Sequence, residues 1–179
     1  ELDSIHEINF YQKIVPDFYK KYVIPNIPPS EVILDLGCGP GILSIQLSET
    51  DTIKKVFGID LVTYNEWNTF RNNKVSYATV KELEFSDFII KLNPDTVVLT
   101  WALHHMEYPQ QEGYMCKLKK LLKKNTTIII LEDSYSEVLE PETGKELHNS
   151  FTRLSKRDRH VVMSILDWIS NRVLSRTRT

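Results

Sequence analysis

The chain has 179 residues, 41% hydrophobic and 26% charged, enough for one sizeable core and short for two. Its formal net charge of -2 supplies no global attraction for nucleic acid or for an anionic membrane. The two cysteines, Cys38 and Cys116, form neither a disulfide framework nor a metal-ligand spacing, and point to a reducing, cytoplasmic setting. No apolar run approaches the roughly 18 residues of a spanning helix. Residues 1–11 carry no signal-peptide pattern, so a soluble protein is expected.

Residues 5–22 place apolar side chains at Ile5, Ile8, Tyr11, Ile14, Val15, Phe18, Tyr19 and Tyr22, the spacing of one helical face. An amphipathic helix follows, open to a break near Pro16 and ended by the segment 25–30. Next comes VILDLGCGPGILSIQL, from Val32. Val32 to Leu36 is apolar except for Asp35 and reads as a strand buried on both faces. Ile42 to Gln46 restarts in helical rhythm. Between them, Gly37, Gly39 and Gly41 stand on alternate positions, where a sharp turn needs backbone angles open to glycine and a ligand can reach the main chain.

The string Asp35-Leu36-Gly37-Cys38-Gly39-Pro40-Gly41 resembles the first motif of class I S-adenosylmethionine-dependent methyltransferases. The dinucleotide fingerprint instead spaces its glycines G-x-G-x-x-G. Counted from Gly37, its third glycine falls on Ile42, which argues against NAD or FAD. The resemblance implies an α/β, Rossmann-like, doubly wound and mostly parallel sheet, with S-adenosylmethionine lying against Gly37, Cys38, Gly39 and Gly41. It also implies that Asp35 lies near the cationic methionine end of that cofactor. Within this family the N-terminal helix closes over the cofactor, so Tyr11 either contributes there or packs in the core.

A second acid is expected at the end of the next strand, and VFGIDL supplies Asp60. Consecutive parallel strands end on one edge of the sheet, so Asp60 flanks the same crevice and can accept both ribose hydroxyls. Taken alone it serves equally as a helix cap or turn residue. Residues 61–73 are polar and hold no long helix, which predicts an abbreviated crossover to a strand over 75–79. SYATVKELEF resembles the family's adenine-contacting stretch, with Thr79 at the usually acidic position. A hydroxyl can still accept from the adenine amine. The resemblance therefore places Thr79 and Val80 at the adenine, with Leu61 and Leu83 on its faces.

The strand DTVVLT, from Asp95, runs into WALHHM, which looks like the Leu-His-His stretch found after the fourth strand of many small-molecule methyltransferases. Thr100 and Trp101 then line the cofactor, and His104 or His105, with an ordinary pKa near 6.5, accepts a proton during methyl transfer. The alternative is that the pair anchors the following loop. No Asn/Asp-Pro-Pro-Tyr-like motif occurs, which disfavours nucleobase-amine and glutamine acceptors. A helix over 113–124, with lysines on its solvent face, precedes the β-branched run TTIIILED. At its end Glu132 and Asp133 either orient a substrate or cap the next helix.

Residues 140–179 carry an apolar stripe at helical spacing beside several arginines, and SILDWISNRV resembles a segment of type 11 methyltransferases between strands five and six. Three readings stay open: a substrate lid that includes Trp168, a basic amphipathic helix for a membrane surface or acidic partner, or plain packing. The family sheet has seven strands, the last antiparallel, and only five have candidates here. Either the chain is C-terminally truncated or a partner chain, or self-association, completes the sheet.

The expected organisation is one domain over 1–179: a helical cap over 1–30, a cofactor-binding core over 31–133 and a lid-like segment over 140–179. The expected activity is methyl transfer from S-adenosylmethionine to a nucleophilic oxygen, nitrogen or carbon of a small molecule. A catalytically silent subunit that assembles with another chain is the alternative, and an RNA acceptor has only the basic tail in its favour.

Overall fold

The computed structural model describes residues 15–106, 108–132, 149–150 and 152–155, with the backbone alone at His104 and Tyr108. Helix α1 (Val15–Phe18) widens into a π turn over Tyr19–Val23 and tightens into a 3-10 turn over Ile24–Asn26. Val15, Tyr19 and Val23 recur every fourth residue and all three are buried, so one face of this segment packs on the sheet. Pro25 falls in the last turn, where a missing N–H ends helical pairing.

Among the described residues five strands follow: β1 (Ser30–Leu36), β2 (Ile53–Asp60), β3 (Val75–Thr79), β4 (Thr96–Thr100) and β5 (Thr127–Leu131). Every pair is parallel and the order is β3-β2-β1-β4-β5. Crossovers run one way from β1 and the other way from β4, so a crevice opens between their C-terminal ends, the switch point of a doubly wound sheet. The register sets Asp35 opposite Gly58 and Val98, Asp60 opposite Thr79, and Thr100 opposite Leu131. All five strands end on that one edge.

Helix α2 (Ile42–Ser48) links β1 to β2, α3 (Phe85–Leu92) links β3 to β4, and α4 (Tyr108–Leu121) links β4 to β5. The sheet divides the core in two. On one face Val15, Tyr19, Leu43 and Leu47 cover Ile33, Val56 and Val98. On the other, Ile89 of α3 and Leu118 of α4 cover Leu34, Val97 and Leu99.

Two elements differ from the reading of the sequence. Helix α3 was not anticipated, although Phe85, Phe88, Ile89 and Leu92 stand at helical spacing and pack into the core. Helix α4 begins at Tyr108, ahead of the expected start, and ends at Leu121, short of the expected end. The crossover from β2 to β3 is abbreviated as its polar sequence implied, with a single 3-10 turn at Asn65–Asn68. Most of 140–179, including Trp168, lies outside the described residues, as do Tyr11 and Asp133.

Candidate functional site

The turn between β1 and α2 is left-handed three times over: φ is 76° at Gly37, 52° at Gly39 and 91° at Gly41. A side chain at such angles is strained, yet the three glycines differ in what surrounds them. A Cβ at Gly37 would sit 2.9 Å from the Ala102 Cβ, and one at Gly41 would sit 2.5 Å from the Tyr77 hydroxyl oxygen. Those two positions are bare because the protein itself fills the space. At Gly39 a Cβ would meet no described atom within 4 Å. Gly39, itself half-buried, is the one whose Cβ direction is open among the described residues, while Gly37 is the most exposed of the three along its backbone.

Most backbone N–H groups of the turn are spent internally. Gly37 and Cys38 both donate to the Ile59 carbonyl, at 2.9 and 3.0 Å, and Gly41 donates to the Cys38 carbonyl at 3.0 Å. Gly39 donates to Asp60 Oδ2 at 2.9 Å. The other Asp60 oxygen accepts from Leu61 N–H at 2.7 Å and, at longer range, from Val62 N–H at 3.4 Å. Asp60 thus ties the end of β2 to the glycine turn. The Cys38 side chain is buried, and burial together with Asp35 and Asp60 pushes its thiol well above the usual range.

Asp35 lies beneath the turn with no exposed surface. Its Oδ2 accepts from the Ser44 hydroxyl at 2.6 Å, while its Oδ1 is buried with no hydrogen-bond partner among the described residues. A buried polar atom left without a partner is costly. Burial pushes the carboxyl up to about 7, against the Ser44 hydrogen bond and with help from the Asp60 charge. An orphaned acceptor below an open glycine suits a ligand that brings positive charge or a donor to that point.

The end of β4 forms the opposite wall. The Thr100 hydroxyl and the Tyr19 hydroxyl are 3.1 Å apart, and the Trp101 ring lies 5.6 Å from that of Phe18 and 5.7 Å from that of Tyr19. Trp101 adopts φ 50°, a conformation that costs a bulky residue energy and persists only where the surroundings hold it. Here the aromatic contacts and the bond from its N–H to the Leu131 carbonyl, 2.8 Å, provide that hold. Beyond it Glu132 accepts from the Leu103 N–H and so anchors the short helical turn Leu103–His105 to the end of β5. His105 is exposed.

On the β3 side the Thr79 and Thr63 hydroxyls pair at 2.7 Å, Leu61 and Leu83 are 72% and 95% exposed, and Val80 is buried with its N–H donated to the Asp60 carbonyl. The structure therefore gathers Asp35, the glycines, Asp60, Thr79, Thr100, Trp101 and Glu132 along one edge. Two residues the sequence reading passed over belong there as well. Trp67 donates its Nε1–H to the Gly39 carbonyl at 2.8 Å, and Tyr77 donates its hydroxyl to the Gly41 carbonyl at 3.1 Å. Their rings stack at 5.2 Å and 8°. A tryptophan in a crossover too short for a helix was the available signal.

Among the described residues no cluster of histidine, cysteine, aspartate and glutamate suits a metal, and no helix is long and apolar enough to cross a membrane.

A family model of methyltransferase domains matches residues 7–169. An uncharacterized methyltransferase of Anoxybacillus flavithermus is 29% identical over 105 residues, which are 58% of this chain and 48% of the relative. The chain thus spans about half the length of that curated relative. An O-methyltransferase family protein of Burkholderia thailandensis superposes with a TM-score of 0.59 at 14% identity, over 84% of this chain and 48% of the other. A SAM-dependent methyltransferase of Archaeoglobus fulgidus superposes with a TM-score of 0.50 at 17% identity, over 87% of this chain and 76% of the other. With the family model spanning most of its length and the parallel sheet and glycine turn in place beneath it, the chain belongs to the class I S-adenosylmethionine-dependent methyltransferases.

Proposed function

We propose that the chain holds S-adenosylmethionine against the open side of Gly39 and directs its methyl group to a nucleophilic oxygen, nitrogen or carbon of a small-molecule acceptor. The observation that carries this reading is Gly39 set between two acids with no described atom within 4 Å of its Cβ direction, and one buried Asp35 oxygen unpaired among the described residues. Asp35 faces the cationic methionine end. Asp60 takes the ribose hydroxyls: of a carboxylate's roughly four lone-pair sites, the Gly39 and Leu61 N–H groups fill two at short range, and the Val62 N–H, at 3.4 Å, is the one a hydroxyl would displace. Thr79, Leu61 and the backbone at Val80 border the adenine, and Thr100 and Trp101 form the floor beneath the methyl group.

The cofactor supplies an electrophilic methyl with its leaving group already attached, so the protein's work is to align the acceptor and exclude water. In this reading His104 or His105, on the turn that Glu132 anchors, takes up the proton leaving the acceptor. In the same reading residues 1–30, with Tyr11, cap the cofactor, and residues 140–179, with Trp168, close over the acceptor beside Asp133. The compartment it implies is the cytoplasm.

Thermal unfolding with S-adenosylmethionine, S-adenosylhomocysteine and NAD in parallel tests the cofactor. A ligand at about a hundredfold its dissociation constant adds about 2.7 kcal/mol, which for a domain of this size is a rise of roughly 5 to 10 °C. A rise with the first two, none with NAD, and loss of the rise in Asp60→Ala is the expected result. No rise with any of them overturns the reading. Cofactor binding without turnover across oxygen, nitrogen and carbon acceptors would favour the silent subunit.

A further inference from the structure

We propose that Trp67 and Tyr77 are positioning residues that hold the glycine turn in its ligand-accepting shape, an inference that rests on the cofactor reading above. In a doubly wound sheet the crossover from β2 to β3 ordinarily brings a helix alongside α2. Here that crossover has only the 3-10 turn Asn65–Asn68, and two rings occupy the space instead. Gly58 admits the first of them. A Cβ there would meet the Tyr77 ring at 2.7 Å, and a glycine inside a strand marks such a close approach. Trp67, itself buried, stacks on the Tyr77 ring.

Filling space would need only apolar side chains. These two carry donors, and both donors end on the same three-residue stretch. Trp67 meets the Gly39 carbonyl and Tyr77 meets the Gly41 carbonyl. The residue between is Pro40, which has no N–H, so the peptide joining Gly39 to Pro40 has the Gly39 oxygen as its single polar handle. Trp67 is what grips that handle, while Asp60 grips the Gly39 N–H on the other side. Gly39, a residue with wide backbone freedom whose Cβ direction meets no described atom, is thereby held at both ends. At Gly41 the grip is shared, because its carbonyl also accepts from the Ile45 N–H at 3.0 Å. Ordering the turn before the ligand arrives removes an entropic cost from binding.

The test uses the full chain and S-adenosylhomocysteine as probe, with affinity measured by calorimetry at a temperature where each variant is fully folded. Trp67→Phe keeps a ring and deletes the donor. It should weaken binding about five- to tenfold, the worth of one hydrogen bond. Tyr77→Phe should weaken it less, about twofold, since the Gly41 carbonyl keeps a partner. Leu118→Ala, in the far face of the core, should lower the melting temperature and leave affinity unchanged. Unchanged affinity in Trp67→Phe with a lowered melting temperature would reduce the pair to packing and overturn the proposal. Should Trp67→Phe fail to fold, Tyr77→Phe decides alone, and wild-type affinity there overturns it equally. Wild-type protein that does not bind the probe sinks the cofactor reading and this proposal together, whereas wild-type binding with unaltered variants sinks this proposal only.

Discussion

The two faces of the sheet are covered by different chemistry. One is closed by α3 and α4, whose Ile89 and Leu118 are fully buried in an apolar cluster, and the other by α1, α2 and, over β2 and β3, by stacked rings whose polar tips reach the glycine turn. Apolar burial is strong and without direction. A hydrogen bond adds less energy but fixes where an atom points. The first face therefore supplies cohesion, and the second adds geometry at the site. Stability and ligand affinity should respond to mutation separately.

Leu118→Ala attacks cohesion alone. It empties a wholly buried position and should cost about 2–5 kcal/mol in urea unfolding. Affinity for S-adenosylhomocysteine below the transition should stay at its wild-type value, and a parallel loss of affinity would break the comparison.

The glycine turn sharpens it. Gly41→Ala pushes a methyl toward the Tyr77 hydroxyl from a left-handed backbone, and should cost about 1–3 kcal/mol of stability as well as weakening the ligand. Gly39→Ala meets no described residue, so it should cost about 1–2 kcal/mol for its backbone conformation. Its loss of affinity should nonetheless be the larger of the two. Reversal of that order in calorimetry would mean that the ligand does not lie against Gly39.

Asp35 makes the pH dependence specific. Its carboxyl titrates near 3.8 when unfolded and, through burial first, is pushed up to about 7 in the fold. The native state then holds a proton that the unfolded chain has released, so the contribution of this group is fully present below the unfolded value and is lost as pH rises through the folded one. Asp35→Asn should remove this decline and be more stable than wild type at about pH 8, with the gap closing in acid. A cation beside Asp35 favours its ionised form, so S-adenosylmethionine should gain affinity between about pH 6 and pH 8 more than the uncharged-sulfur S-adenosylhomocysteine does. Equal slopes would move the sulfonium away from Asp35.

The smallest effect belongs at the opposite edge of the sheet. Lys123 bonds Asp95 Oδ1 at 2.6 Å, and Asp95 Oδ2 accepts from the Glu31 and Val32 N–H groups at 3.1 and 2.9 Å. Lys123, followed by the Val32 N–H, holds the Asp95 carboxyl below its usual range, so its contribution is present above the unfolded value and is lost in acid. Both side chains are partly exposed, so Lys123→Met should cost at most about 1 kcal/mol in denaturant titration, less at high salt. Ligand affinity should not move.

Much of the fold was legible because its signals are local. Strand β1 shows over residues 32–36 as an apolar run broken only at Asp35, and the β-branched β4 and β5 show in the same way. Helix α3 escaped because eight residues as apolar as FSDFIIKL sit at the length where periodicity separates helix from strand poorly. Trp67 escaped for another reason. Its partner lies 28 residues earlier, and nothing local to the turn at Asn65–Asn68 names a distant carbonyl.

The amino-acid sequence by itself determined that two acids and a glycine turn would share one edge, since parallel strands end together and only glycine accepts three left-handed angles in five residues. Tertiary structure alone decided what each glycine is for. Gly37 and Gly41 are bare because Ala102 and Tyr77 lie against them, and Gly39, which no described residue crowds, for its left-handed backbone. It likewise decided that Asp60 would spend part of its carboxylate on the turn while one oxygen of Asp35 stayed unpaired among the described residues. Those outcomes depend on which side chains arrive from elsewhere in the chain, and packing is where residues distant in sequence first meet.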